Sequence, residues 1–193
     1  MSDSWDDYAV EWDSNEAAIS FADKAFNSLN SAVGYEKPTV FDFGCGTGLL
    51  TERLSPVSNR IVALDSSEKM ITVLNNKKLP NVSTLALPLS TETVKENHEL
   101  HLKFDLVVAS SVCGFLPDYE IILKIIKSLL SDKGTFVQWD WLASTEGADF
   151  GLTASRVKAA LTTSGFQNIS INQPFIMESP EGSREVLMAV ATS

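Results

Sequence analysis

The 193-residue sequence predicts an α/β fold with a single doubly wound, mostly parallel sheet of seven strands. Three observations predict it. Short apolar, β-rich runs alternate with segments whose apolar residues recur at helical spacing. The run 104–110, FDLVVAS, is almost unbroken in apolar residues, as befits a parallel strand covered on both faces. The chain closes with two strand-like runs separated by Pro174, Pro180 and Gly182, which reads as a hairpin supplying one antiparallel strand.

Taken in order, the chain begins with an acidic aromatic segment holding Trp5, Tyr8 and Trp12. A helix follows over 16–29, because Asp13 and Glu16 have capping-box spacing and Ile19, Ala22, Ala25, Phe26 and Leu29 share a face. Gly34 and Pro38 punctuate a loop before a first strand at 39–43. Gly44, Gly46 and Gly48 then form a turn, and helix-compatible residues run to 54, where Ser55-Pro56 ends the helix. A second strand at 60–64 closes in Asp65, and Ser66, Ser67 and Glu68 open a helix reaching 77. The third strand is expected at 82–87, followed by a polar helix or loop over 90–101. After the fourth strand, 104–110, Asp118 caps a core helix whose apolar residues are Ile121, Ile122, Ile125, Ile126, Leu129 and Leu130. Asp132-Lys133-Gly134 turns into a fifth strand at 135–140, a helix spans 153–164 with Gly165 as its stop, and the last strands cover 166–173 and 185–191.

Composition narrows the function classes. A hydrophobic content of 44% over this length builds one well-packed domain and is too little for two ordinary ones. No run of about 18 apolar residues exists, and the acidic N-terminus has no signal-peptide apolar core, so a soluble cytoplasmic protein without membrane partners is expected. Cys45 and Cys113 lack C-x-x-C spacing, which argues against a disulfide framework or zinc site. His98 and His101 sit three apart without a third ligand, so a solvated face is expected and no metal site. The net charge of −10, with 15 scattered Lys and Arg, works against nucleic acid as a partner.

The glycine turn is the place to bind something. Glycine admits φ > 0 and lets a ligand approach the backbone, and the N–H groups of the following helix face that ligand. Spacing selects among ligands. A dinucleotide fingerprint starting at Gly44 and Gly46 needs glycine where Leu49 stands, and no Lys-Ser/Thr end marks a phosphate loop. Asp42-Phe43-Gly44 spells the kinase magnesium triplet, but no H-R-D loop precedes it. A turn with no ligand would rarely need three glycines beside an inward acid. What remains, acid-x-Gly-x-Gly-x-Gly, resembles the first motif of the class I S-adenosylmethionine-dependent methyltransferases.

That resemblance implies a Rossmann-like sheet of order 3-2-1-4-5-7-6 with the cofactor, S-adenosyl-L-methionine, across the carboxyl ends of strands one and four. It implies one methyltransferase domain over 1–193: a lid segment and helix to 37, a cofactor-binding core over 38–140, and a C-terminal helix and hairpin over 141–193. Asp42 would hold the methionyl end, directly or through the glycine loop of Gly44, Cys45, Gly46 and Gly48, with Ser66 and Met70 near the adenosine, Ser110 at the same carboxyl edge, and Tyr8 and Trp12 as a lid. Trp5 is read as a packing residue. Asp65, at the tip of the second strand about 20 residues past the turn, is placed to accept from the ribose diol; it equally suits a helix cap, and both roles are compatible. Relatives of this kind carry an acid after the third strand for adenine; here LALPLST has none, leaving backbone or a hydroxyl such as that of Ser90.

The sulfonium already activates the methyl group, so the protein mainly aligns a nucleophile and excludes water. For a hydroxyl or ammonium acceptor a base is needed, and Asp140, between Trp139 and Trp141, is placed for it by chain position, with a strand-end turn role as the other reading. The Asn-Pro-Pro-Tyr type of motif for methylating base amines is absent. A small-molecule acceptor is therefore expected, with the acceptor pocket built from the N-terminal segment and the loops after strands four and five. A monomer or homodimer is expected. Two other functions fit less: a non-catalytic cofactor-binding regulator, and a nicotinamide oxidoreductase, which Leu49 and the lack of a Tyr-x-x-x-Lys pair disfavour.

Overall fold

The computed structural model describes residues 5–145, 150–179 and 182–193. Its strands are β1 (Thr39–Phe43), β2 (Arg60–Asp65), β3 (Val82–Ala86), β4 (Phe104–Ser110), β5 (Leu130–Trp141), β6 (Gln167–Ser179) and β7 (Gly182–Thr192). They form one sheet in the order β3-β2-β1-β4-β5-β7-β6. β1 to β5 run parallel to one another, and β7 is antiparallel to both β5 and β6, so the expected topology is the observed one. The chain leaves β1 outward through β2 and β3, then returns to β4 on the other side of β1. The crevice between β1 and β4 is the topological switch point.

Strand periodicity sorts side chains between two cores. Phe41, Val62, Leu64, Phe104, Val107 and Phe136 pack on one face. Val40, Ile61, Leu106, Val108, Val137 and Trp139 pack on the other. Helices α5 (Tyr119–Leu129) and α6 (Ala154–Thr163) cover the first face, while α1 (Glu16–Ala32), α2 (Leu49–Leu54) and α3 (Glu68–Asn76) cover the second. A short helix, α4 (Thr91–Glu96), and a 3-10 turn, His98–His101, occupy the polar stretch before β4. Trp139 is fully buried on the second face, and its Nε1–H donates to Ser28 Oγ at 2.9 Å. That bond joins the central sheet to α1 and satisfies the one polar atom of a large apolar side chain.

Several local expectations shift for identifiable reasons. α1 is capped by Asn15, whose Oδ1 accepts from the N–H groups of Ala17 and Ala18, so Asp13 is released from the predicted capping box. Asp118 stands at the N-cap position of α5 without a side-chain cap bond. The buried stripe of α5 is Tyr119, Leu123, Ile125, Ile126 and Leu129, while Ile121 is 56% exposed. The third strand stops at Ala86, and the helix after β2 at Asn76.

Asp132-Lys133-Gly134 is not a turn into β5 but an irregularity within it, where the register against β4 shifts between Phe104 and Leu106. Pro174 lies inside β6 rather than in a loop, at a register shift between Asn172 and Phe175. An edge strand tolerates this because its outer N–H groups have no ladder partner to lose. Pro180 lies outside the described residues.

Gly134 is required sterically. A Cβ there would stand 2.7 Å from the Phe104 carbonyl oxygen and 3.0 Å from the Ser131 nitrogen, both backbone atoms that cannot step aside. Gly34 has no heavy atom within 4 Å of such a Cβ. Gly134→Ala should therefore cost about 1–3 kcal/mol of stability by overpacking, with Gly34→Ala near neutral. Urea midpoints of the two variants check this; equal midpoints would refute it.

Candidate functional site

The carboxyl ends of β1, β2 and β4 open into a cavity of about 690 Å³, inside the range of about 300–1,000 Å³ that takes small organic ligands. Its floor is the glycine turn. Gly44, Gly46 and Gly48 have φ of 69°, 55° and 83°, the left-handed region that favours glycine. The three differ in what a side chain would meet. At Gly44 a Cβ would come within 2.5 Å of Val112, and at Gly48 within 2.3 Å of Leu74. At Gly46 it would meet nothing closer than Met70 Sδ at 4.0 Å, so it would project into the cavity. Gly44 and Gly48 thus serve packing, and Gly46 keeps the floor bare.

Asp65 ties the turn to the next unit. Its Oδ2 accepts from Gly46 N–H at 2.8 Å, and its Oδ1 accepts from Ser67 N–H at 2.9 Å. The N-cap of α3 is Ser67, whose Oγ accepts from Met70 N–H. Asp65 is thereby held at the cavity edge with lone pairs to spare.

Asp42 is 1% exposed, on the face of β1 that meets α2. Thr51 Oγ1 donates to its Oδ2 at 2.6 Å, while its buried Oδ1 has no hydrogen-bond partner. Burial raises its pKa to about 7, against the lowering effect of Thr51. Burial also pushes the Cys45 thiol well up, with Asp42 and Asp65 adding to the effect, so it stays a neutral thiol in the wall.

Strand parity places Asp140 elsewhere. Two residues on from Gln138, it lies on the α5 face, opposite Trp139 and Asp42. It is 1% exposed, outside the cavity lining. Gly114 N–H donates to its Oδ1 at 2.8 Å and Gln138 Nε2 donates to its Oδ2 at 2.8 Å, while Tyr119 Oη donates to Gln138 Oε1 at 2.6 Å. Burial raises the Asp140 pKa to about 7 as well.

The cavity wall therefore brings together Trp12, Asp42, Gly44, Cys45, Gly46, Asp65, Ser66, Met70 and Ser110. It leaves out Tyr8, Gly48 and Asp140. Tyr8 is 43% exposed beside a shallow neighbouring depression, and Trp5, read from sequence as packing, lines the cavity instead. Ser90 is not in the wall either: its Oγ accepts from Thr93 N–H in the capping box of α4, and Pro88 and Leu89 form that side. Phe21, Phe150, Met177 and Arg184 also line the cavity and were not legible in sequence, because they come from α1, a loop and the hairpin, with no motif among them.

The N-terminal segment is docked by its acids. Ser67 Oγ donates to Asp6 at 2.5 Å, which lowers the Asp6 pKa. Thr47 Oγ1 donates to Asp13 at 2.5 Å, and Lys77 Nζ lies 2.9 Å from the same carboxylate. His98 is 89% exposed, and the described residues contain no group of three or more His, Cys, Asp or Glu able to hold a metal. No helix among them is long and apolar enough to cross a membrane.

Sheet order, switch-point cavity and glycine turn define a Rossmann-like α/β domain of the class I methyltransferase type. A family model described as "Methyltransferase domain" matches residues 41–136, and that stretch of the chain belongs to the family. An uncharacterized methyltransferase of Schizosaccharomyces pombe is 30% identical over 102 residues, covering 50% of this chain and 36% of that protein. A ubiquinone biosynthesis O-methyltransferase of Bradyrhizobium diazoefficiens is 31% identical over 122 residues, covering 63% and 46%. The chain thus spans less than half the length of these two curated relatives. Among solved structures, the N-methyltransferase NodS of Bradyrhizobium japonicum in complex with S-adenosylhomocysteine superposes with a TM-score of 0.70 at 20% identity over 95% of this chain and 90% of that one. At that identity the likeness establishes the fold.

The two raised carboxyls set a pH dependence. Asp42 and Asp140 have folded-state pKa values near 7 against 3.8 when unfolded, so between those limits the folded chain binds more protons than the unfolded one. Their contribution is complete below the unfolded value and is lost as pH rises through the folded one. Urea stability of the free protein should fall from pH 3.8 toward about 7 on their account, and Asp42→Asn should flatten the slope. A slope unchanged in that variant would refute the assignment.

Proposed function

We propose that the protein is an S-adenosylmethionine-dependent methyltransferase acting on a small-molecule acceptor. The observation that carries this reading is the orphaned Asp42 Oδ1, buried in the same cavity as the bare Gly46 floor and the Asp65 carboxylate. A buried carboxylate without a donor is costly, and the ammonium of a methionyl group supplies the missing one. Asp65 would accept from the ribose hydroxyls, and its bond to Gly46 N–H fixes the turn beside it. Met70 and Leu89 offer apolar surface to the adenine, whose polar edge meets backbone. Trp5 and Trp12 cover the cavity and exclude water.

When bound, the cofactor would supply to the acceptor atom's lone pair an electrophilic methyl carbon with a neutral thioether as its leaving group. The chain's task is alignment. Asp140 anchors Gly114 and with it the loop that carries Phe115 into the wall, a positioning role in place of the base that its chain position suggested. Asp42, Cys45, Asp65, Glu178 and Arg184 are the titratable residues among the described lining, and the first three belong to the cofactor end. An acceptor presenting a free amine, a thiolate or an acidic hydroxyl suits such a wall.

The acidic chain disfavours nucleic acid as acceptor, and the two free thiols suit the reducing cytoplasm, where we place it as a monomer or homodimer. S-adenosylhomocysteine should raise the melting temperature while NAD does not; stabilisation by NAD alone would overturn the reading. Asp65→Ala should weaken S-adenosylhomocysteine binding by about 1–3 kcal/mol, through unpaired ribose hydroxyls and a loosened turn, as read by calorimetry. Unchanged affinity would remove Asp65 from the site.

A further inference from the structure

Beyond the cofactor end, the cavity is ringed by aromatic side chains that touch in sequence. Phe21 and Trp141 have centroids 5.5 Å apart, Trp141 and Phe150 6.0 Å, Phe150 and Phe115 5.9 Å, Phe115 and Trp5 5.4 Å, and Trp5 and Trp12 6.0 Å. All six line the cavity. They come from the N-terminal segment, α1, the loop after β4, and the end of β5 with the loop beyond it. One charge is built into this belt. Arg184, near the start of β7, places Cζ 5.2 Å from the Phe150 centroid and lines the same cavity. Among the described residues it forms no ion pair; Glu178, which also lines the cavity, is not within ion-pair distance of it.

We propose that the methyl acceptor is a flat, mostly apolar molecule carrying a carboxylate, its ring against the aromatic belt and its carboxylate on Arg184 at the rim. This rests on the methyl-transfer reading of the cavity. An aromatic wall rewards flat apolar surface with offset or edge contacts beyond the area buried. A guanidinium stacked on a ring keeps its N–H fork for a planar anion, which it binds through two parallel bonds. It also occupies the face of Phe150 that a cationic acceptor would seek, and repels such a guest. The chain's net charge of −10 gives anions no long-range attraction, so discrimination falls to Arg184. With the carboxylate at the rim and the cofactor at the glycine floor, the reacting atom lies at the end of the acceptor remote from its charge.

The test uses three probes of one skeleton: a hydroxynaphthoate, its methyl ester and the matching aminomethylnaphthol. Calorimetry first measures S-adenosylhomocysteine, then titrates each probe into the loaded protein. The naphthoate should bind about 10-fold or more tighter than the ester. In Arg184→Gln that ratio should fall toward one with S-adenosylhomocysteine affinity unchanged, and Arg184→Lys should retain part of it. Equal binding of acid and ester, preference for the amine, failure of all three probes, or a ratio unmoved by Arg184→Gln would overturn the proposal. Failure of S-adenosylhomocysteine itself to bind would overturn the methyl-transfer reading beneath it, an outcome read in a separate arm.

Discussion

The carboxylate of Asp65 is the clamp on which the site depends. A turn with three left-handed glycines has little conformational preference of its own, and fixing it costs more backbone entropy than the same turn with other residues at those positions. Asp65 fixes it by accepting from Gly46 N–H with one oxygen and from Ser67 N–H with the other. Both bonds are charge-assisted, and each stabilises more than a neutral pair. The clamp joins the end of β2 to the turn after β1, so two βα connections move as one body. The cavity floor is then preorganised before any ligand arrives, which reduces the ordering that binding must oppose.

Around that floor the fold distributes charge and apolar surface unevenly. Carboxylates gather at the glycine-turn end, where Asp42 is buried and Asp65 lies at the cavity edge. Acids of the N-terminal segment dock against Ser67, Thr47 and Lys77. Part-exposed hydrogen bonds and ion pairs of this kind contribute little to stability individually, about 1 kcal/mol each. Their consequence is positional: Trp5 and Trp12 are carried into the cavity wall. Aromatic rings and Arg184 dominate the other end. Burial on the α5 face gives Asp140 a different occupation from Asp42, although both carboxyls are raised to about 7 by desolvation. One lines the cavity and has a buried oxygen without a hydrogen-bond partner; the other has both oxygens engaged by protein N–H groups.

Much of the fold was legible because its signals are local. Strand β4 is an apolar run with the ends expected, β1 likewise, and the glycine turn announces itself by spacing alone. Asp42 and Asp65 could be placed because each directly ends or precedes such a signal. Misplaced elements have competing local chemistry. Asn15 out-competed Asp13 as a cap because Asp13 has Lys77 and Thr47 as partners from elsewhere in the chain. Ser90 was consumed by its own helix. Asp140 was misjudged as cavity-facing, although counting alternate residues from Val137 and Trp139 already puts it on the opposite face.

By itself, then, the sequence determined the order of strands and helices, the bare turn and the two carboxylates beside it, since these follow from periodicity, glycine content and residues a few positions apart. Tertiary structure alone decided the aromatic half of the cavity. Trp5, Phe115, Phe150 and Arg184 are scattered across the whole chain and become neighbours only when the N-terminal segment folds over the sheet edge and the β6–β7 hairpin closes beside it. Contacts between residues so far apart leave no spacing to read, because the distance that matters is set by packing and not by the chain.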